Sequence, residues 1–459
     1  MACLVQVILL VVSMTVVAEP SVPYRKFRFD EDYGHLQGAG SAASALDAVK
    51  FIPLERTKDT YVSLGGSVRE RYEYTGNPLF GDERQDERGV WLQRASAHAD
   101  LHIGRQFRAF FELTSALEKG REGGPSPVDE NRLDVQNAFV DVLFAPSQLS
   151  TGRLRLGRQE VQFGSGRLVD VREGTNVRRT FDGVRGFLQY PDWELVAILA
   201  QPRRDEPGVF DDGTNDDETL WGVYGSTRSF VELLGDVDVY YLGFRDERGA
   251  FVQGTGDEER HTLGLRVSKS TPSWDWNVEG AYQFGSFGAG DISAWTIASD
   301  IGVTFVDTPL SPRLGLRANI ASGDDDATDP DLETFNPLFP RGNYFSAAAV
   351  LGPRNFFNLN PHLTVHISED VSVSTNVNFF WRLEKTDGVY SPAGQIIRAP
   401  APGAGRYVAT SFSVELAWEL SRHFDATATY ARLEPGSFIR DTGEDDAIDF
   451  IELTVRFRF

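Results

Sequence analysis

Apolar and polar residues alternate in short stretches along most of this chain, from about residue 61 to the carboxyl terminus. A period of two is typical of a β-strand that has one apolar face and one polar face. In the final stretch, 451–459, every second residue is Ile, Leu, Val or Phe, and the residues between them are Glu, Thr and two Arg. This pattern predicts a strand with lipid on one side and water on the other.

Similar stretches recur along the chain. They lie near 62–74, 90–103, 106–116, 132–144, 152–160, 183–190, 193–200, 218–228, 235–245, 259–269, 274–284, 294–305, 312–321, 362–368, 371–383, 407–420, 423–433 and 447–459. No run after residue 18 approaches the roughly 18 continuous apolar residues of a spanning helix. We therefore predict an all-β fold, a transmembrane antiparallel β-barrel of about eighteen strands. A terminal aromatic residue, here Phe459, is typical of bacterial outer-membrane barrels.

The connections between these strands alternate between long and short. The predicted long ones are 75–89, 117–131, 161–182, 201–217, 246–258, 285–293, 322–361, 384–406 and 434–446, and the short ones include 104–105, 191–192, 369–370 and 421–422. Outer-membrane barrels have long extracellular loops and short periplasmic turns. The alternation therefore also predicts the orientation of the barrel.

The polar faces of the strands indicate what the barrel encloses. In the predicted strand 90–103, one face carries Trp91, Ile103 and alanines, and the other carries Arg94, Ser96, His98, Asp100 and His102. The next strand places Arg108 among its polar residues, opposite Phe107. A barrel of this size with a polar interior is wide enough for an aqueous channel.

Arginine is concentrated between residues 152 and 186. The segment contains Arg153, Arg155, Arg158, Arg167, Arg172, Arg178, Arg179 and Arg185. Guanidinium groups are permanently charged and bind carboxylates in bidentate fashion, so they suit a corridor for an anionic polymer. A structural role is compatible with this one: Arg167, Arg172 and Asp182 can form ion pairs that pin loop 161–182 against the wall. Gly157 can form a bulge, which leaves open the face on which Arg158 lies.

Catalytic and metal-binding interpretations have weaker support. Ser96, His98, Asp100 and His102 share one strand face, but neighbours there are roughly 7 Å apart, too far for a hydrogen-bonded triad. We interpret them as lumen residues, with a metal pair at His98 and His102 as the alternative. The acidic run 324–331 lacks the spacing of an EF-hand, which favours a solvated loop over a calcium site. We predict no catalytic residue, no metal and no cofactor.

The amino-terminal region differs from the rest. Residues 4–18 are apolar but too short to span a membrane as a helix, so we predict a signal peptide over 1–18, although no Lys or Arg precedes Arg25. The single cysteine, Cys3, lies within it. Residues 19–60 lack alternation and are predicted to be a periplasmic segment, followed by the barrel over 61–459. The net charge of −22 argues against nucleic acid as a partner.

Several sequence blocks resemble the alginate export family. They are 157–160 (GRQE), 164–168 (GSGRL), 172–176 (REGTN), 179–185 (RTFDGVR), 334–340 (TFNPLFP), 351–355 (LGPRN), 380–382 (FWR) and 387–392 (DGVYSP). The resemblance implies an outer-membrane barrel with an arginine-lined constriction that exports an anionic uronic-acid polysaccharide, usually beside periplasmic scaffold proteins. In contrast to the best-known exporters, the turn at 421–422 before the penultimate strand is short.

From the pattern and the resemblance together we expect a monomeric outer-membrane channel for an anionic exopolysaccharide such as alginate. The residues expected to line its pore and contact the substrate are Arg94, Arg108, Arg155, Arg158, Arg167, Arg172, Arg179, Asp182, Arg185, Arg354 and Arg382. The expected partners are the polysaccharide, the lipid bilayer and periplasmic scaffold proteins. The alternatives are an uptake porin for acidic oligosaccharides or other small anions, an outer-membrane enzyme using His98 or Asp100, and a surface adhesin that uses the acidic loops.

Overall fold

A computed structural model describes residues 23–38, 45–54, 59–86, 88–231, 234–343 and 345–459. The predicted signal peptide 1–18, with Cys3, lies outside the described residues. Within the described ranges, no helix is both long enough and apolar enough to cross a membrane.

The described residues form one closed antiparallel barrel of eighteen long strands. The strands are β1 Tyr61–Gly76, β2 Val90–Ile103, β3 Phe107–Lys119, β4 Asn131–Ser147, β5 Ser150–Gln159, β6 Phe181–Gln189, β7 Trp193–Arg204, β8 Glu218–Val231, β9 Gly235–Phe251, β10 Gly254–Ser270, β11 Trp274–Phe287, β12 Gly290–Thr304, β13 Arg313–Ala321, β14 Phe356–His366, β15 Val371–Trp381, β16 Tyr407–Glu419, β17 Phe424–Pro435 and β18 Ile448–Arg458. Each strand pairs with the next, and β18 pairs with β1, with Arg456 opposite Arg69. The predicted all-β barrel is confirmed.

Smaller elements lie outside this ladder. Two-residue strands extend the sheet at Ile52–Pro53 beside β1 and at Gly213–Thr214 beside β7. The short helical segments are Arg28–Asp30, Gly34–Gly38, Ala45–Ala48, Pro78–Gly81 and Ser437–Thr442, and a small hairpin joins Val389–Tyr390 to Ile396–Arg398. These segments lie between or before the barrel strands.

The two faces of the wall have the predicted polarity. Large apolar side chains such as Val239 and Leu453 are 59% and 50% exposed on the outside. Polar side chains of the opposite phase are buried inside, as are Glu112 at 4% and Asp100 at 4%. The side chains alternate because successive residues of a strand point to opposite faces.

Two of the predicted long loops are wrong. Residues 246–258 and 285–293 belong mostly to strands, since β9 runs to Phe251, β10 begins at Gly254, and β11 and β12 are separated by two residues. Strands that continue beyond the lipid have water on both faces, so their apolar alternation disappears although the backbone pairing continues. Gly254 and Gly288 have φ angles of +130° and +56°, which favour glycine at these tight turns.

The other predicted connections keep their lengths. The turn predicted at 421–422 is short, because β16 ends at Glu419 and β17 begins at Phe424. We call the end of the barrel with such turns the short-turn end, and the opposite end the long-loop end. Two of the long loops, 160–180 and 322–355, fold into the barrel and determine the shape of its lumen.

Candidate functional site

The two inward loops meet across the lumen through their backbones. Asp170 N donates to Phe339 O over 2.8 Å, and Phe339 N donates to Leu168 O over 2.8 Å. This short parallel bridge joins Val169 to Phe339. We call residues 168–170 and Phe339 the septum.

The septum is the centre of an apolar cluster inside a polar barrel. Val169 is fully buried and Phe339 is 4% exposed. The rings of Phe181 and Phe244 approach the Phe339 ring edge to face, with centroids 5.1 and 5.4 Å away. Aromatic edge contacts of this kind add about 0.5–1.5 kcal/mol beyond the burial of area. The bridge is therefore held by packing on both sides as well as by backbone hydrogen bonds.

Loop 160–180 is also fastened to the wall on its far side. Asn176 is fully buried, and its Nδ2 donates to the carbonyl oxygens of Gln93 and Asp129, each over 3.0 Å. Arg69 Nη2 donates to Asn176 Oδ1 over 2.9 Å. A buried amide whose groups are all bonded fixes the position of a loop, because each lost partner would cost free energy. The septum is thus a built element of the lumen.

A cavity lies on each side of the septum. The lower cavity, at the short-turn end, has a volume of about 560 Å³ and is lined by β9 to β15 and by the two inward loops. The upper cavity, at the long-loop end, measures about 240 Å³. Arg167 and Arg341 border the lower cavity, whereas Arg172 and Arg179, on the same two loops or beside them, border the upper one. The paired loops therefore stand between the two cavities.

Six of the predicted arginines form ion pairs with carboxylates. The pairs are Arg94 with Glu173, Arg108 with Asp100 at 2.8 Å, Arg155 with Asp141 at 2.8 Å, Arg158 with Asp182 at 2.8 Å, Arg167 with Glu279 at 3.0 Å and Arg172 with Asp205 at 3.3 Å. The Arg167, Arg172 and Asp182 contacts are those of the structural interpretation, and they join loop 160–180 and its flanks to the wall. A guanidinium engaged by a carboxylate has fewer donors for a passing anion.

Four predicted arginines make no ion pair with the described residues. They are Arg179, Arg185, Arg354 and Arg382. Arg179 and Arg354 border the upper cavity. Arg382 is 1% exposed, and it donates to the carbonyl oxygens of four residues of loop 384–406, which it holds in place. Arg382 therefore lies in the wall rather than at the surface of a cavity.

Arg158 shows why side-chain phase fails near Gly157. Gly157 has a φ of +128°, and a Cβ at this position would lie 2.2 Å from Ala138 O. The strand pairing continues without a register shift on both sides, so no bulge forms. The unusual φ angle instead interrupts the alternation, and Arg158 forms its bidentate contact with Asp182.

The sequence analysis missed most residues of the lower cavity. Besides Arg167, it is bordered by Arg266, Arg313, Arg317 and Arg341. Arg313 pairs with Asp275 at 2.6 Å, and Arg317 pairs with Asp300 at 2.7 Å. The signal was present, because Arg313 and Arg317 share the polar phase of β13.

A ladder of asparagines crosses four strands beside these arginines. Asn319 Nδ2 donates to Asn358 Oδ1 over 2.9 Å, and Asn358 Nδ2 donates to Asn378 Oδ1 over 2.8 Å. Asn360 Nδ2 donates to Asn376 Oδ1 over 2.9 Å. Each amide has two donors and two acceptor lone pairs, so a ladder can still offer groups to a hydroxylated ligand. Spacings of two residues in β14 and β15 were the sequence signal.

The residues considered for catalysis have structural partners. Arg108 donates twice to Asp100, each over 2.8 Å, and the His102 and Asp100 side chains are hydrogen-bonded at 3.1 Å. The His98 ring stacks on Phe110. Within the described ranges, none of these residues belongs to a group of three potential metal ligands.

One acidic group outside the predicted sites has closely spaced carboxylates. Asp134, Asp211 and Asp212 each offer an oxygen within 4.8 Å of the others. Arg158 Nη1 lies 3.6 Å from Asp134, and Arg203 Nε lies 3.1 Å from Asp212. These arginines compensate the acidic charge.

The acidic run 324–331 is solvated except at its first residue. The solvated loop predicted here is wrong for Asp324, which is 1% exposed, because its backbone N–H donates to Asp387 Oδ2 over 3.1 Å and draws it inward. Burial, together with the Asp387 carboxylate, raises the pKa of Asp324 to about 7. The rest of the run, from Asp325 to Asp331, lies largely exposed.

Comparison with known proteins gives a family model and solved barrels. The family model described as alginate export matches residues 60–450. No curated protein matches the chain. Among solved Pseudomonas aeruginosa structures, OccK2 (OpdF) in complex with glucuronate has a TM-score of 0.56 at 12% identity and covers 87% of this chain and 98% of its own. OpdK with vanillate has a TM-score of 0.56 at 11% identity with the same two coverages, and OccK11 (OpdR) has 0.55 at 13% with 87% and 96%. At these identities the neighbours show the fold alone.

Proposed function

The chain belongs to the alginate export family, and on this premise we propose that it exports an anionic exopolysaccharide, alginate or a similar polyuronate. As a family member with a porin-like barrel, it is a channel protein of the bacterial outer membrane, with its long loops outside the cell and its short turns in the periplasm. The substrate and the direction of transport are the content of the proposal.

The observation that carries the proposal is the pairing of two kinds of group along the lumen. Arg179 and Arg354 reach the upper cavity without a carboxylate partner among the described residues, and the lower cavity combines arginines with the asparagine ladder. A polyuronate repeats one carboxylate and several hydroxyls on each sugar. Guanidinium groups suit the carboxylates, and amides suit the hydroxyls.

The chain acts as a passive monomeric conduit in this proposal. Polymer synthesis and periplasmic scaffold proteins provide the direction of transport. The six ion-paired arginines shape the wall and hold the inward loops, and the unpaired ones contact the polymer.

A specific observation favours the second candidate, an uptake porin for acidic oligosaccharides or other small anions. The septum separates cavities of about 560 and 240 Å³, which are sizes suited to small solutes. Two of the similar barrels were solved with the small carboxylates glucuronate and vanillate. Genes beside this one would separate the candidates: polysaccharide synthases favour export, and polysaccharide lyases favour uptake.

Removing the unpaired charges at the upper cavity is expected to weaken anion selectivity. In planar bilayers under a KCl gradient, Arg179→Gln with Arg354→Gln should lower the chloride-to-potassium permeability ratio by about twofold or more, because charge in a narrow pore sets the local ion concentration. Arg432→Gln is the matched control, since Arg432 pairs with Glu434 and Asp449 away from both cavities. An unchanged reversal potential in the double variant would remove these arginines from the conducting path.

A further inference from the structure

Residues 24–36 lie inside the lumen at its periplasmic end. Their contacts reach three different parts of the protein: Tyr24 Oη is hydrogen-bonded to His423 Nδ1 at 3.0 Å in a periplasmic turn, Lys26 Nζ lies 2.9 Å from Asp170 Oδ2 beside the septum, and Phe29 packs on the wall. The lower cavity is lined by the other half of the barrel, β9 to β15. We call residues 24–36 the N-terminal plug.

Arg28 anchors the plug where the barrel closes. Arg28 Nη1 donates to Gly66 O over 2.9 Å and Nη2 to Phe459 O over 2.8 Å, so it joins the first and last strands. Its Nε donates to Glu31 Oε1 over 2.7 Å, and Tyr33 Oη donates to Glu31 Oε2 over 2.9 Å. Buried charge-assisted bonds of this kind fix a segment firmly.

Phe29 seats the middle of the plug on the opposite wall. Its side chain is 4% exposed and meets Phe110 and Phe139 edge to face, with centroids 5.7 and 5.3 Å away. Arg108 Nη2 donates to Phe29 O over 2.5 Å. The Arg155 guanidinium lies 4.6 Å from the centroid of the Phe29 ring.

Asp30 follows Phe29 and lies beside the arginines of β5 and β6. Arg153 and Arg185 both stack on the Phe187 ring, with centroid distances of 4.0 and 4.6 Å, and neither makes an ion pair with a described carboxylate. Water reaches the Asp30 side chain in the lumen. The surrounding wall raises the pKa of Asp30 by desolvation, and Arg155, Arg153, Arg108 and Arg185 act in the opposite direction.

We propose that the N-terminal plug is an intramolecular occupant of a carboxylate-binding site at Arg153 and Arg185, where Asp30 stands in for a carboxylate of the passing polymer. A polyanion that enters from the periplasm competes for these guanidinium groups, and the plug then leaves the wall. The channel is thus partly closed at rest and opens to its own class of substrate. Only the identity of the competing polymer rests on the proposed function; the plug itself does not.

Charge reversal at Asp30 tests the plug without removing its anchors. Asp30→Arg places a fifth guanidinium beside Arg108, Arg153, Arg155 and Arg185, and should raise single-channel conductance in KCl by about twofold as the lumen widens. Asp32→Arg is the matched control, with the same change two residues along the plug; its side chain bonds only the nearby Gly34 N. Equal conductance of the Asp30 and Asp32 variants would overturn the plug.

Thiol labelling reports the seat of Phe29 directly. In a Cys3→Ser background, Phe29→Cys places the only thiol at a position that the seated plug buries, so a charged methanethiosulfonate should react slowly. Adding Asp30→Arg should accelerate the reaction by about tenfold, since labelling follows local opening. Oligouronate should do the same for Phe29→Cys alone, and a neutral oligosaccharide of equal length should not.

The two failures are distinguishable. If Asp30→Arg leaves labelling slow, the plug is overturned whatever the channel carries. If Asp30→Arg accelerates labelling but oligouronate does not, displacement by a polyuronate is overturned and the proposed substrate is weakened, while the plug stands.

Discussion

Replacing Phe339 by alanine is expected to open the septum and give a larger, fluctuating single-channel conductance. The Phe339 ring fills the space between the two inward loops and packs against Phe181 and Phe244. Truncating a buried Phe removes roughly 3–5 kcal/mol of packing energy. The two remaining backbone hydrogen bonds of the bridge contribute only about 1 kcal/mol each. The bridge should therefore be broken for much of the time.

Controls separate the septum from general loosening of the barrel. Phe339→Leu keeps apolar bulk at the bridge and should conduct nearly as the parent does. Phe438→Ala removes an equally buried ring, which stacks on Arg382 at 4.0 Å away from the septum, and should leave conductance unchanged. If Phe339→Ala conducts like Phe438→Ala, the septum does not limit the flow of ions.

Breaking the Arg155–Asp141 pair is expected to destabilise the barrel more than loss of any surface ion pair. Arg155 donates from Nε and Nη2 to both oxygens of Asp141, each over 2.8 Å, and the two side chains are 1% and 0% exposed. Removing one partner of a buried pair leaves an uncompensated charge, which costs about 3–5 kcal/mol. Arg155→Met should lower the free energy of unfolding by that amount, measured by urea denaturation in detergent.

The exposed pair of Arg432 and Glu434 provides the comparison. Their side chains are 42% and 56% exposed, so Arg432→Ala should cost at most about 1 kcal/mol. Adding Asp141→Leu to Arg155→Met should recover most of the lost stability, because an apolar pair replaces the orphaned carboxylate. A loss in Arg155→Met no larger than in Arg432→Ala would show that lumen water compensates Asp141.

Period-two patterning could predict the wall because lipid imposes a strict rule on it. Wherever a strand crosses the membrane, as with Leu453 and Val455 in β18, the outward residue must be apolar, and the faces of β2 and β3 followed in the same way. The rule ends where the lipid ends. Residues 246–258 and 285–293 therefore looked like loops although the strands continue through them.

The lumen could be predicted only in its composition. The cluster of arginines between 152 and 186 indicated a charged interior, but its members have different roles: Arg155 forms a buried ion pair, Arg179 borders a cavity, and Arg158 depends on the φ angle of Gly157. The septum requires two loops that are far apart in sequence to meet at Val169 and Phe339. Local periodicity contains no information about such a meeting.

The most direct test of the account is to follow oligouronates of increasing length through single channels in a planar bilayer. With oligomer added on the periplasmic side, we predict interruptions of the chloride current that lengthen with chain length and shorten as the driving voltage rises, as expected for molecules that pass through. Neutral oligosaccharides of equal length should produce few interruptions. Interruptions that are equal for charged and neutral sugars, or that lengthen with voltage because the oligomer enters and cannot leave, would contradict a channel for anionic polysaccharide.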